Sequence, residues 1–171
     1  MITIQVDDKQ VLDMLAELFR RMTNLQPVMR EIGEDIVTST KQRFADAVAP
    51  DGTPWAPNST ETTIPFYLGV FANSHKKDGT LSKAGAARSA AKKPLTGETK
   101  SLGTKIDYQL DGTSGVRIGS PMVYAAMQQF GGVTSPRSMI PGKIIPARPF
   151  LGVSETDRAN ILEIVGRYLI Q

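Results

Sequence analysis

The chain has no cysteine and a single histidine, His75, in 171 residues. The first absence removes disulfides, thiolate nucleophiles and cysteine-ligated zinc, and fits a reducing compartment. The second leaves any histidine-based triad with one candidate base, and His75 lies among lysines in a Gly/Ala/Ser/Lys-rich stretch. Long apolar runs are also missing: the longest span only a few residues, far short of the roughly 20 that cross a bilayer. The opening MITIQVDDKQ has no basic region followed by an apolar one, so no signal peptide is read. The expectation is a soluble chain with no membrane contact, made in the cytoplasm.

Motifs for chemistry are missing as well. There is no G-x-S-x-G elbow, no H-E-x-x-H, and neither of the glycine-rich phosphate loops G-x-x-x-x-G-K-[ST] and G-x-G-x-x-G. No acidic loop has calcium spacing, and the soft ligands of a zinc site are not there. The acids Glu31, Glu34 and Asp35 fall on the polar face of a helical pattern, the ordinary place for solvated charge. The reading is therefore not an enzyme, with no catalytic, cofactor-binding or metal-ligating residue assigned and no cofactor.

What is present begins with charge. The formal charge is +3, but six basic residues between His75 and Pro94 (Lys76, Lys77, Lys83, Arg88, Lys92, Lys93) oppose one acid, Asp78. That segment carries +5 and leaves −2 for the rest, so the basic character is local. It lacks interleaved aromatics, hence any stacking platform for single strands. A solvated loop that contacts a partner is preferred over a DNA-binding site, although lysine clusters do gain affinity for phosphates by counterion release.

A chain of this length favours one domain, residues 1–171, with enough core to need no staple. Ile2 to Val6 alternate as a short strand, and Asp7 or Asp8 is placed to cap a helix. Val11, Leu12, Leu15, Leu18, Phe19 and Met22 then form one apolar helix face. Pro27 opens a second helix, since the first turn does not need its missing N–H. Its apolar face is Met29, Ile32, Ile36, Val37, Thr40 and Phe44, and Lys41 and Arg43 join the acids on the wet face. A turn-rich stretch, APDGTPWAPNST, and a short apolar patch, Ile64 to Phe71, lead into residues 72–94. That last segment is too poor in large side chains to offset its ordering entropy and is expected to be a mobile loop. Leu102 to Leu110 and Val116 to Ile118 read as a hairpin around DGTSG. Met122 to Phe130 reads as a helix stopped by Gly131 and Gly132. Ile144 to Phe150 is extended, because prolines at 146 and 149 exclude a helix interior. Ser154 and Asp157 make a capping box for a C-terminal helix with Ile161, Ile164, Val165, Tyr168 and Leu169 on one face.

Two residues stand out. Trp55, inside PDGTPWAP, is a packing anchor whose N–H wants one acceptor. Arg148, between Pro146 and Pro149 and next to Phe150, is suited to a bidentate pair with a carboxylate, either within the fold or across an interface.

In order along the chain, RFADAVAPDGTPWAP, LTGETKSL, VRIGSPMVYAAMQQFGG and IPARPFLGVSETDRANI resemble the phage virion morphogenesis family, the tail-completion proteins of Mu-like phages and prophages. The likeness covers most of the chain except about residues 60–94. Its weight rests on Asp51, Gly52, Pro54 and Trp55; on Tyr124, Gln128, Gln129, Gly131 and Gly132; and on Pro146, Arg148 and Phe150. The family block usually reads H-Q-F-G-G, and Gln128 stands where the histidine would be. An amide preserves a structural hydrogen-bonding role but not a catalytic or metal-binding one.

The resemblance implies a structural virion protein acting in tail completion or head–tail joining through protein–protein assembly. Its partners would be other tail or neck proteins, and it would form a homo-oligomer of the hexameric-ring type at the tail or head–tail junction. Lys76, Lys77, Lys83, Arg88, Lys92 and Lys93 are candidate partner contacts. The expected fold is α+β: an N-terminal helical hairpin and a C-terminal helix packed on a small, mainly antiparallel sheet, with a long flexible basic loop. Two rival readings are a DNA-binding accessory protein using residues 76–93 and a cell-wall hydrolase with an unrecognised acidic site.

Overall fold

A computed structural model describes residues 9–61, 63–97, 100–138 and 140–170. The strand expected at Ile2 to Val6 and the cap at Asp7 or Asp8 lie outside them. The protein is α+β. Its helices are α1 (Lys9–Thr23), α2 (Gln26–Asp46), α3 (Thr63–Gly69), α4 (Lys83–Ala91), α5 (Ser101–Thr104), α6 (Ala125–Phe130) and α7 (Glu155–Ile170). Among the described residues two antiparallel pairs accompany them, β1 (Asp107–Asp111) with β2 (Gly115–Gly119) and β3 (Gly132–Val133) with β4 (Ile144–Ile145). The chain divides into two compact units interleaved in sequence. The first comprises residues 1–39, 107–119 and 153–171, and the second comprises residues 40–106 and 120–152.

In the first unit Val28, Ile32 and Ile36 of α2 meet Ile164 of α7. Met29, Val116, Ile118, Ile161, Val165 and Tyr168 close around them. The 3- and 4-residue spacing on α2 and α7 aligns these side chains on one face. The hairpin supplies Val116 and Ile118, which share one face of β2 because they are two apart. Gly33 lets α2 lie directly on this hairpin: a Cβ there would fall 2.6 Å from the Tyr108 ring and 3.0 Å from Val116. The capping box opens α7 reciprocally, Ser154 N–H donating to Asp157 and Asp157 N–H to Ser154 Oγ. Cross-element polar pairs join Asn160 to Asp35 and Arg167 to Glu31, and the Tyr168 hydroxyl donates to the Asn24 carbonyl.

The apolar stripe of α1 has no such cover. None of its residues is buried, and Val11, Leu12, Met14, Leu15, Leu18, Phe19 and Met22 are 37–74% exposed. Its opposite face is self-sufficient, for Glu17 accepts from both Arg20 and Arg21. Those two guanidiniums hold the Glu17 carboxyl down to about 2. Arg21 also donates to the Tyr168 carbonyl, tying the end of α1 to α7.

In the second unit the core is Phe44, Ala49, Trp55, Ile64, Leu68, Leu102, Ile106 and Phe150. Two local expectations change here. Residues 101–104 form a helical turn, with the strand beginning only at Asp107. Leu102 and Ile106 are both buried, a spacing of four that a helical turn and one face of a strand share, so the apolar pattern does not separate the two. Within the expected loop at 72–94 the chain forms α4, capped by Ser82, whose Oγ accepts from Gly85 N–H at 3.0 Å. Little apolar area is buried here, and α4 packs by close approach instead: a Cβ on Gly85 would sit 2.0 Å from the Ser74 carbonyl oxygen.

Gly33→Val should lower stability by about 1–3 kcal/mol, the usual cost of overpacking, by pushing Tyr108 off α2. The check is the urea midpoint; an unchanged midpoint would mean that α2 does not rest on this hairpin.

Candidate functional site

The residues that stood out in sequence converge in the second unit. After α2 the chain turns back on itself: Ala47 takes a positive φ of 58°, and Val48 N–H donates to the Arg43 carbonyl. Asp51 then organises the DGTPW turn by accepting from Thr53 N–H at 2.9 Å, a bond that holds its carboxyl below the usual range. Gly52, at φ 82°, supplies the left-handed position, and Val48 bridges Pro54. This turn delivers Trp55 into the core, edge-on to Phe44 at 5.2 Å between ring centroids, while Phe44 also packs on the fully buried Phe150 at 5.3 Å.

Around these rings, side chains bond the backbone of residues 149–152. Trp55 Nε1–H donates to the Pro149 carbonyl at 2.7 Å. Gln129 Oε1 accepts from Phe150 N–H and Leu151 N–H at 2.9 and 3.0 Å, and its Nε2 donates to the Leu151 carbonyl at 2.9 Å. Arg43 Nη1 donates to the carbonyls of Phe150 and Gly152 at 3.1 and 2.9 Å. Arg43 was placed on the wet face of α2; it is instead 5% exposed, because those chain carbonyls bring their acceptors to it.

Arg148 also differs from expectation. Its guanidinium is bidentate, but its acceptors are backbone carbonyls, Ala56 through Nε and Pro57 through Nη2, both at 2.7 Å. The carbonyls of Ala56 and Pro57 accept its hydrogen bonds but carry no opposing charge. Arg148 is 6% exposed, and burial pushes its pKa down. Its own N–H donates to the Gln128 carbonyl at 2.8 Å. The Gln128 side-chain oxygen, by contrast, is buried with no hydrogen-bond partner among the described residues.

Gly131 stops α6 at φ 69°, and a Cβ there would come within 2.7 Å of Ala147 N and 2.8 Å of the Ile145 carbonyl oxygen. Gly132 begins β3, opposite Ile145. Tyr124 sits at the N-terminal boundary of α6, partly exposed, and Pro146 lies beside Arg148 along one groove.

The six basic residues differ in their surroundings. Arg88 stacks over the Phe71 ring, with the Ala72 carbonyl and Ser74 as acceptors. Lys92 lies over the Tyr67 ring, and Lys93 donates to the Ala45 carbonyl. Lys76, Lys77 and Lys83 are exposed. Sequence reasoning missed Arg43 and the accepting role of Gln129 toward residues 150 and 151. Nothing in local periodicity signals a polar side chain whose partners lie about 20 or 100 positions away.

Among the described residues no group of three or more His, Cys, Asp or Glu is arranged to hold a metal ion, and no helix is long and apolar enough to cross a membrane. The arrangement as a whole ties loops to one another through backbone polar groups. The model of the phage virion morphogenesis family matches residues 6–170. No curated protein and no solved structure matches the chain.

Replacing Gln129 with Leu strands two N–H groups and a carbonyl, and should cost about 2–4 kcal/mol from unpaired buried groups. Gln129→Glu, which keeps both accepting contacts, should lose less at neutral pH. Thermal or urea unfolding of the pair decides it; equal losses, or none, would count against the lacing described.

Proposed function

The chain belongs to the phage virion morphogenesis family, and from that membership we propose a structural subunit that acts in tail completion or head–tail joining by assembling with copies of itself and with other tail or neck proteins. In this reading it works without turnover. Family membership supports a morphogenetic role in the virion; the assembly step, the ring and the site at the tail or head–tail junction are our reading.

The observation that carries it is the uncovered stripe of α1. Taking roughly 150–200 Å² for a fully exposed side chain of this size, the seven residues leave on the order of 600–800 Å² of mainly apolar surface in water. A standard interface buries about 800 Å² per partner, and patches of this size on soluble proteins mark contact sites. The occupant we assign is the next copy of the chain. A ring needs a heterologous contact of this kind, one face of a subunit against a different face of its neighbour. The basic segment does not favour the rival DNA reading, since Arg88, Lys92 and Lys93 are each engaged within the fold.

Leu15→Glu combined with Phe19→Glu should leave the subunit folded, because neither side chain is buried in it. Self-association should weaken about a hundredfold or more, the effect of losing two apolar anchors. Light scattering over a dilution series, with circular dichroism as the folding control, reads both. Phage carrying the double variant should give tailless heads beside free tails if the step is joining, or aberrant tails if it is completion. A wild-type protein that stays monomeric at every concentration, or a double variant that assembles normally, would sink the reading.

A further inference from the structure

A second feature of the same unit as the PARPF segment points to a particular partner chemistry. A groove of about 610 Å³ runs between α3, the residues after α4, and α6, and its lining includes Tyr67, Val70, Ile145, Gln128 and Arg148. Most of that lining is apolar. Among its described lining residues are two cationic side chains, Arg148 and Lys92, and no carboxylate.

Lys92 is engaged with the Tyr67 ring. Arg148 is the decisive group. It is buried, and its two side-chain hydrogen bonds, through Nε and Nη2, go to neutral carbonyls. Among the described residues no carboxylate forms an ion pair with it, so its charge is held in a low-dielectric wall without an opposing one. Buried charge of this kind is ordinarily paired. Beside it, the Gln128 side-chain oxygen is buried with nothing donating to it. A buried acceptor without a donor is a second unmet requirement in the same groove.

The two requirements differ in chemistry. A carboxylate answers Arg148 and cannot donate to Gln128; an amide N–H answers Gln128. A polypeptide segment brings both, and its apolar side chains match the walls at Tyr67, Val70 and Ile145. A nucleic-acid backbone brings phosphate but neither the amide donor nor the aliphatic bulk. We propose that this groove docks an acidic, partly apolar peptide segment of another virion protein, with an Asp or Glu carboxylate on Arg148, a backbone N–H on Gln128 and a neighbouring apolar side chain against Tyr67 and Val70. The proposal rests on the assembly reading above and names the chemistry of one partner contact within it.

Arg148 also anchors the Ala56 and Pro57 carbonyls, so its replacement would confuse folding with binding. The groove is better probed at Val70, which is half-exposed. The test is NMR titration of the full-length chain with acetyl-Phe-Asp-Leu-amide, its Asn analogue and a short oligothymidylate. The Asp peptide should shift the Arg148 Nε–H and Gln128 side-chain resonances. The Asn analogue should bind about tenfold more weakly or worse, and the oligonucleotide should leave both resonances in place. Val70→Glu should abolish peptide binding while folding and self-association stay as in the wild type. Equal binding of the two peptides, no shift with either, occupation by the oligonucleotide, or undiminished binding by Val70→Glu would each overturn the proposal. These results stand apart from the α1 test: loss of the oligomer in α1 variants concerns self-association, whereas the peptide arms concern the groove alone.

Discussion

An extended segment with prolines at 146 and 149 lacks two N–H donors and cannot run as an ordinary ladder strand, yet it must bury Phe150 completely. Its remaining polar groups therefore need partners from elsewhere, and side chains supply them. Trp55, Gln129 and Arg43 each reach backbone atoms between Pro149 and Gly152, while Arg148 reaches back to Ala56 and Pro57. The aromatic cluster of Phe44, Trp55 and Phe150 forms only because this polar lacing brings three distant stretches together without stranding their amides. The DGTPW turn, the glycines after α6 and the PARPF segment are three parts of one device.

That dependence explains what was legible in sequence. Amphipathic periodicity located α1, α2 and α7, because each has a regular stripe, and the capping box at Ser154 and Asp157 fixed the start of α7. Turn chemistry located DGTPW and the stop at Gly131. The identity of the lacing bonds was not legible. Arg43 sits among charged neighbours on a helix, where pattern alone reads it as solvated; only the carbonyls more than 100 residues later make it a core residue. The place of Arg148 between two prolines marks it as a donor of two bonds, but carbonyl and carboxylate acceptors look alike from the donor's side of the sequence.

Burial by area and burial by proximity also separate in α4. Lys83 to Ala91 contains no large aliphatic or aromatic side chain, so an area argument finds nothing to order it. Small residues work by a different route: Gly85 lets the helix backbone touch the Ser74 carbonyl, and Ser82 and Arg88 satisfy the polar atoms exposed by that approach. The opposite case is α1, whose pattern promises burial that its own unit does not provide. A strong helical stripe says that a face must be covered; it does not say by which molecule.

These two mismatches bear on function in different ways. In α4, missing area is replaced by geometry inside the subunit, so nothing external is required. In α1, surplus apolar area is left uncovered among the described residues, and the hydrophobic effect acts on it as soon as a complementary surface arrives. An assembly protein has to resist that outcome until the correct partner is present, which favours subunits that settle their polar groups internally. The second unit does so through its side-chain-to-backbone bonds, and the two residues that keep an unsettled group, Arg148 and Gln128, both line one groove. Apolar surface gives affinity with little discrimination, whereas a buried charge and an unpaired acceptor penalise every occupant that fails to match them. In the assembly reading proposed above, a subunit that joins itself and also recognises a different protein has use for both kinds of surface.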